Sequence, residues 1–337
     1  MNIALSKIQL RITALWAFSE ALLGGILHGL HIPFTGLILS AFASICMAAL
    51  TLNDHSRGKI LKATILVIIV KAILSPHTPP TAYFAVFIQG LFGELIFSAG
   101  IPFVASCMLN SIFALIQTAF QKLIVLTIIF GTGFWKALDD FINSVMHDMG
   151  VETTSYSFII VAAFVLLHLI TGIIAGIFAG RLPVFLESSE NKNITAKKNN
   201  TYSPVESMIE SKNKNKLNKP LSWIFFLLLI ACLYKIYFGA DFDEIIKSKV
   251  LKLLIRSSLI LILWYFFIAP LLLKWFRKWI INQKNKFSIE VENILLLIPE
   301  MKHLTEYCWS VSADQNGFRR ISKFLRHTFY SIISADK

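Results

Sequence analysis

Glu20, Lys71, Glu94 and, beside a proline-rich turn, His77 are ionisable side chains that interrupt otherwise apolar sequence. The cost of placing an ionisable group at membrane depth is several kcal/mol, so such groups usually face a bundle interior or a cavity. The stretch from Lys71 to Ser98 concentrates them, with a cation, the turn around His77, Pro79 and Pro80, and then Gln89 and Glu94 in the next run. Lys71 and Glu94 are expected to pair, either as a structural ion pair or as anchors for a charged solute. Glu20 and His31 share one face of the first apolar run at 3.6 residues per turn, with His28 nearer the opposite face. Asn110, Gln117 and Gln121 form a polar stripe further on. These types can hydrogen-bond an organic solute or glue helices together. His28, His31 and His77 offer a metal-ligand alternative, but without the close pairing of ligands that a built site usually has.

The elements that must hold these residues are long apolar helices. The chain has 337 residues, 55% of them hydrophobic and 15% charged, with a mean hydropathy of +0.65. A soluble domain carries about 25% charged residues, so the composition is that of an integral membrane protein. The net charge of +12 does not mark a nucleic-acid binder. Residues 1–180 are nearly balanced, with 8 Lys/Arg against 7 Asp/Glu, whereas residues 274–337 hold 11 against 6. Basic residues gathered in loops report orientation. Cys46, Cys107, Cys232 and Cys308 lie far apart and suggest neither a zinc site nor a disulfide framework.

A spanning helix needs about 20 apolar residues. Runs at 13–30, 34–52, 60–76, 81–99, 102–130 and 156–180 predict six helices over residues 1–181, and runs at 221–239 and 253–273 predict a hairpin. The short turn at Gly100–Pro102 leaves 81–99 open to a re-entrant reading. Residues 182–220, rich in Asn, Lys and Ser from 187 on, read as a cytoplasmic linker. Pro270 is expected to kink the second helix of the hairpin. Residues 274–337 read as a tail of amphipathic helices at the cytoplasmic interface, interrupted at Pro299. The outer loop 131–155, with Asp139, Asp140, His147, Asp148 and Glu152, reads as a solvated acidic loop, a lid or a collector of cations. The expected fold is therefore all-α: a six-helix bundle, a hairpin and a helical tail, multi-pass in the inner membrane with both termini cytoplasmic.

Two small-residue faces stand out. Gly172, Gly176 and Gly180 form a repeated G-x-x-x-G, and Ala14, Ala17, Ala21 and Gly25 line one side of the first helix. No G-x-x-x-x-G-K-S/T, G-x-S-x-G or H-E-x-x-H occurs, so no ATP-cradling loop or hydrolytic signature is present and the chain does not read as an enzyme.

Residues 1–181 resemble the substrate-binding S-component of energy-coupling factor (ECF) transporters. The residues that carry the likeness are the Ala17-Phe18-Ser19-Glu20-Ala21 segment, which fits that family's A-x-x-x-A pattern, and the six-helix plan without an ATP site. The resemblance implies a small vitamin-like nutrient or a metal ion bound near the outer face. It also implies docking through Ala14, Ala17, Ala21 and Gly25 onto a membrane T-component served by two ATPases. The second half departs from that pattern. It has only Gly317-Phe318-Arg319-Arg320 where a coupling module would carry Ala-Arg-Gly. Glu20, His28, His31, Lys71, His77, Gln89, Glu94, Asn110 and Gln117 are the candidate substrate-binding residues. No resident cofactor and no nucleic-acid partner is expected beside the lipid bilayer and the solute. A scaffold that gathers a cytoplasmic partner, such as an NTPase, through its C-terminal helices is the competing expectation, and an enzyme acting on lipids a third.

Overall fold

The computed structural model describes residues 5–25, 34–52, 56–75, 78–148, 155–187, 257–264 and 268–334. Among these every regular element is helical and no strand occurs. In order they are α1 (Lys7–Phe18, continued by a π-helical turn at Ser19–Leu23), α2 (Thr35–Leu50), α3 (Lys59–Leu74), α4 (Pro80–Ser98), α5 (Phe103–Phe130) and α6 (Gly133–Asp148). Then follow α7 (Tyr156–Gly180), α8 (Leu182–Glu187), α9 (Ala269–Lys286), α10 (Ser288–Val311) and α11 (Gly317–Ile333).

Among the described residues three helices, α4, α5 and α7, are long and apolar enough to cross a membrane. The chain is a membrane protein by that measure. Their outward faces carry Phe84 and Leu95, Phe120 and Ile128, and Phe158 and Leu166, all exposed in the isolated chain. That belt suits hydrocarbon. The 81–99 run is thus one continuous helix of spanning length. Helices α2 and α3, at 16 residues each, are shorter and lie within the bundle.

α1 is the axis of the fold. Its start is fixed by a capping box, in which Ser6 Oγ accepts from the Gln9 amide and Gln9 Oε1 accepts from the Ser6 amide. From Ile12 onward it is buried all round, with Leu15, Trp16 and Ala17 fully covered by α2, α3, α10 and α11. A helix apolar on every side belongs in a core. α3 is enclosed in the same way, and even its Lys59, Lys62 and Lys71 are buried.

α5 and α7 approach each other backbone to backbone. A Cβ built on Gly176 would lie 2.8 Å from the Cα of Met108, and one on Gly172 3.0 Å from the Cα of Ile112. The G-x-x-x-G glycines are therefore spent on helix-to-helix approach, as small residues are in lipid.

The C-terminal helices differ from the expectation. α10 runs through Pro299 without a break. It buries Val291, Ile294, Met301, Leu304 and Cys308 in the same core cluster as α1 and α3, and α11 adds Phe329 and Ile332. Each such side chain contributes about 1.5–3 kcal/mol of burial. Lys62 Nζ meets Glu290 at 2.6 Å, and Arg11 meets Glu300 at 3.9 Å. Residues 288–333 thus pack into the core that residues 1–181 build. The spacing of their apolar positions was readable, but what covered them was not. Pro270 stands in the first turn of α9, and 265–267, just before it, lie outside the described residues. Of the expected linker, 182–187 is helical with Leu182 buried, and 188–220 lies outside the described residues. Of the expected hairpin, 221–256 also lies outside them. Its described stretch 257–263 is helical, and Ser257 Oγ donates to the carbonyl of Ile129 on α5.

The 131–155 segment is largely helix. α6 is amphipathic, and Asp139 on it accepts both the backbone N–H of Ser157 (2.6 Å) and its hydroxyl (2.8 Å). One of the acidic residues expected to gather cations is therefore a cap for α7, satisfying an orphan donor of that helix.

Candidate functional site

Two buried polar centres lie inside the bundle. The first joins α1 to α3. Lys71 Nζ donates to Glu20 Oε2 at 2.7 Å, with side chains 7% and 4% exposed. Glu20 sits in the π-helical turn that follows α1. Such turns widen one step of a helix and occur frequently at functional sites. Trp16, one turn earlier, is fully buried, and its indole N–H has no acceptor among the described residues.

The second centre is a seam between α2, α4 and α5. Gln89 Nε2 on α4 lies 3.0 Å from Ser40 Oγ, 3.0 Å from Gln117 Oε1 and 3.2 Å from Thr118 Oγ1. Ser40 and Thr118 are themselves hydrogen-bonded at 2.7 Å, and Thr118 donates to the Ala114 carbonyl. One step along α5, Ser111 donates to Ser44 at 3.1 Å. Beyond it comes Asn110, 1% exposed, whose amide oxygen and nitrogen have no partner among the described residues. A Cβ on Gly93 would stand 3.1 Å from that oxygen and 2.8 Å from Met47 Sδ. In the other direction Gln121 donates to the Thr81 carbonyl. The seam therefore runs along α5 from Gln121 to Asn110 and ends on an unsatisfied amide, which is uncommon in buried protein.

The sequence residues divide accordingly. Glu20 and Lys71 come together, as do Gln89 and Gln117, with Asn110 in line with the latter. The expected Lys71–Glu94 pair does not form. Glu94 instead accepts from the backbone N–H groups of Gly58 and, at 3.1 Å, Leu61, and from Ser98 Oγ at 3.0 Å. Gly58, with φ +89°, is the N-cap of α3 and has no side chain to cap with, so α4 supplies the carboxylate that the positive end of α3 favours. Glu94 is a capping group and leaves the candidate site. His28, His31 and His77 lie outside the described residues. Among the described residues no three His, Cys, Asp or Glu side chains are grouped to hold a metal.

The proposed docking face is also corrected. Ala14 and Ala17 are fully buried and Ala21 is 3% exposed, because α1 packs internally on that side too. Gly25 alone of the four is open, with nothing near its Cβ position.

Ser40, Ser44, Ser111 and Thr118 were not singled out by the sequence reading. Thr118 and Ser111 lie beside the 110–117–121 stripe and were visible as its flanks. Lys122 and His168 were also passed over, although each is an ionisable residue inside an apolar run. An open apolar cleft lies elsewhere, between Leu123, Trp135, Ser157, Phe158 and Val161, away from both polar centres. The interior centres are closed over in this conformation.

No family model, curated protein or solved structure matches this chain.

Proposed function

We propose that the protein is a membrane transport component that binds a small polar nutrient within its helical bundle. The observation that supports this most is the seam ending on Asn110. Interhelical glue satisfies its own groups, whereas Asn110 presents both a donor and an acceptor that nothing among the described residues meets. A solute amide, carboxyl or hydroxyl is a suitable occupant. The Glu20–Lys71 pair, set in a π-turn, is the second group that a change of helix packing would rearrange. Uptake would begin at the outer face and be energised by a partner ATPase, because the chain carries no phosphate-cradling loop of its own. That partner would have to engage a surface other than Ala14, Ala17 and Ala21.

The test uses the full chain in proteoliposomes. Wild type and Asn110→Leu are exposed to a mixture of labelled nutrients, and retained solutes are identified by mass spectrometry. Replacing an unsatisfied buried amide by a similar apolar side chain leaves stability unchanged or improved. The expected result is a solute held by the wild type and lost by the variant at equal folded amount. No solute above the level of empty vesicles, or one retained equally by both, rejects the reading. Co-purification of an ATPase from native membranes tests the energising partner.

A further inference from the structure

Of the side chains on the α2–α4–α5 seam, only Asn110 has buried polar atoms without a partner among the described residues. Gln89, Ser40 and Thr118 bond one another, and Ser111 bonds Ser44. Asn110 differs in leaving both halves of its carboxamide, Oδ1 and Nδ2, unmet at 1% exposure. Packing alone does not account for it, because a leucine of similar shape would fill the space without stranding two polar groups. α4 covers the amide with a glycine. A Cβ on Gly93 would stand 3.1 Å from Asn110 Oδ1 and 2.8 Å from Met47 Sδ, so the α4 backbone lies against the carboxamide and a side chain there would crowd it. Phe92, one residue before Gly93, stacks on Phe113, three residues beyond Asn110, with ring centroids 3.6 Å apart. That stacked pair, half-buried, joins α4 to α5 beside the amide.

The surroundings offer no spare charge. α2, α4 and α5 hold two charged side chains between them, Glu94 and Lys122. Glu94 is taken by the N–H groups of Gly58 and Leu61 and by Ser98. Lys122 stands twelve residues from Asn110 along α5, a rise of about 18 Å. α3 reaches the same place through Ile60, but its Lys62 meets Glu290, its Lys71 meets Glu20, and Lys59 is engaged as well. The polar groups along the seam itself are hydroxyls and carboxamides, all neutral.

We infer that Asn110 recognises an uncharged solute by its amide edge: a carboxamide, lactam or ureide whose N–H and C=O lie side by side. Two such edges set antiparallel exchange two N–H···O bonds and leave neither group of Asn110 unmet. A carboxylate offers acceptors only and an ammonium donors only. Either would also bring into the bundle a charge with no partner, which is costly at membrane depth. The carboxamide is closed over here, so binding requires α4 to draw back from α5 at Phe92 and Gly93. The parted rings then face the apolar body of the solute. This deepens the transport reading by naming the chemical class of the cargo, and it rests on that reading for the seam being a solute site.

The experiment measures binding without uptake. The full chain in phosphatidylcholine nanodiscs is melted, with tryptophan fluorescence as readout, at equal concentrations of four probes and matched ionic strength. The probes are butyramide, its isomer N,N-dimethylacetamide, which keeps the carbonyl and lacks the N–H, sodium butyrate and butylammonium chloride. A ligand that binds the folded state raises the midpoint. The expected result is a midpoint a few degrees higher in butyramide than in the other three. That difference is lost in Asn110→Leu and kept in Lys136→Gln, a lysine on α6 away from the seam. If Asn110→Leu fails to fold, Asn110→Ser, which has one polar atom in place of the paired edge, decides instead. Equal midpoints in butyramide and its isomer, or a difference that survives loss of the carboxamide, overturn the inference. An Asn110-dependent rise in butyrate or butylammonium instead overturns the uncharged amide and leaves a solute site standing. An Asn110-dependent rise in butyramide, with no amide retained by proteoliposomes, upholds the recognition and removes the transport reading.

Discussion

The Glu20–Lys71 pair permits a quantitative test of how the interior is held. At 2.7 Å and an effective dielectric constant of about 20, two unit charges attract by about 6 kcal/mol before desolvation is subtracted. Desolvation removes several kcal/mol from each ion, so the net worth of the intact pair is close to zero. The asymmetry is what matters. Lys71→Met leaves the Glu20 carboxylate buried at 4% exposure without its partner, a situation that costs about 3–5 kcal/mol. Glu20→Leu combined with Lys71→Met removes both charges and leaves apolar groups of similar volume. The double variant is expected within about 1 kcal/mol of the wild type, or above it. Urea or thermal unfolding in one detergent, followed by far-UV circular dichroism, gives all three values for a double-mutant cycle. If Lys71→Met costs less than about 1 kcal/mol, water reaches the pair and the enclosed α1–α3 interface described above is wrong. If the double variant is as unstable as the single, the pair is stabilising in its own right.

Other expectations follow from single contacts. Gly176→Leu drives a side chain into the Met108 backbone, 2.8 Å from the Cβ position, and should cost at least the 1–3 kcal/mol of core overpacking, read as a lower melting midpoint in detergent. Glu94→Ala strips two backbone donors of α3 of their acceptor and should cost about 1–3 kcal/mol, while solute binding per folded molecule stays unchanged because Glu94 caps rather than binds. Glu290 lies outside the spanning helices. Partial burial alone would push its carboxyl up, but the Lys62 hydrogen bond and charge outweigh this and hold it below its ordinary 4.5. A group held lower in the folded state contributes stability that is present above pH 4.5 and lost as pH falls through the lowered value. Glu290→Gln should therefore flatten the stability profile in that acidic range and change its slope little near neutrality. An unchanged acid limb would show that the Lys62 contact does not form in solution.

Helix positions were legible because the apolar runs are long. The runs at 34–52 and 102–130 became Thr35–Leu50 and Phe103–Phe130. Partners were less legible, yet one was within reach. With a turn centred near residue 77, the α3–α4 hairpin sets Thr64 against Gly90, as the structure has it. The same register sets Lys71 against Tyr83 and Glu94 against Ile60. Hairpin arithmetic alone therefore separates Lys71 from Glu94 by most of the helix length and places Glu94 at the start of α3, where it caps. The Glu20–Lys71 contact spans 51 residues between helices that are not consecutive, and no spacing rule foretells it. Nor does periodicity say whether the apolar face of α10 meets lipid or α1, since both satisfy it equally.

The burial of Ala14, Ala17 and Ala21 reshapes any account of coupling. Small residues mark a place where helices come close, and the sequence leaves open whether the second helix is the chain's own or a partner's. Here α1 is enclosed, and the α10 and α11 that help enclose it are held by apolar packing together with Lys62–Glu290 and Arg11–Glu300. A partner that reached the small face would first have to displace helices of the chain's own, and α10 is among those packed on α1. Val291, Ile294, Met301 and Leu304 together oppose that by about 6–12 kcal/mol of burial at 1.5–3 kcal/mol each. On the proposed transport reading, a partner ATPase would act on the outer side of α10 and α11, where Leu296, Trp309, Phe318 and Ile321 are exposed. Motion of those two helices would then be passed inward to α1 and its π-turn, where Glu20 holds Lys71.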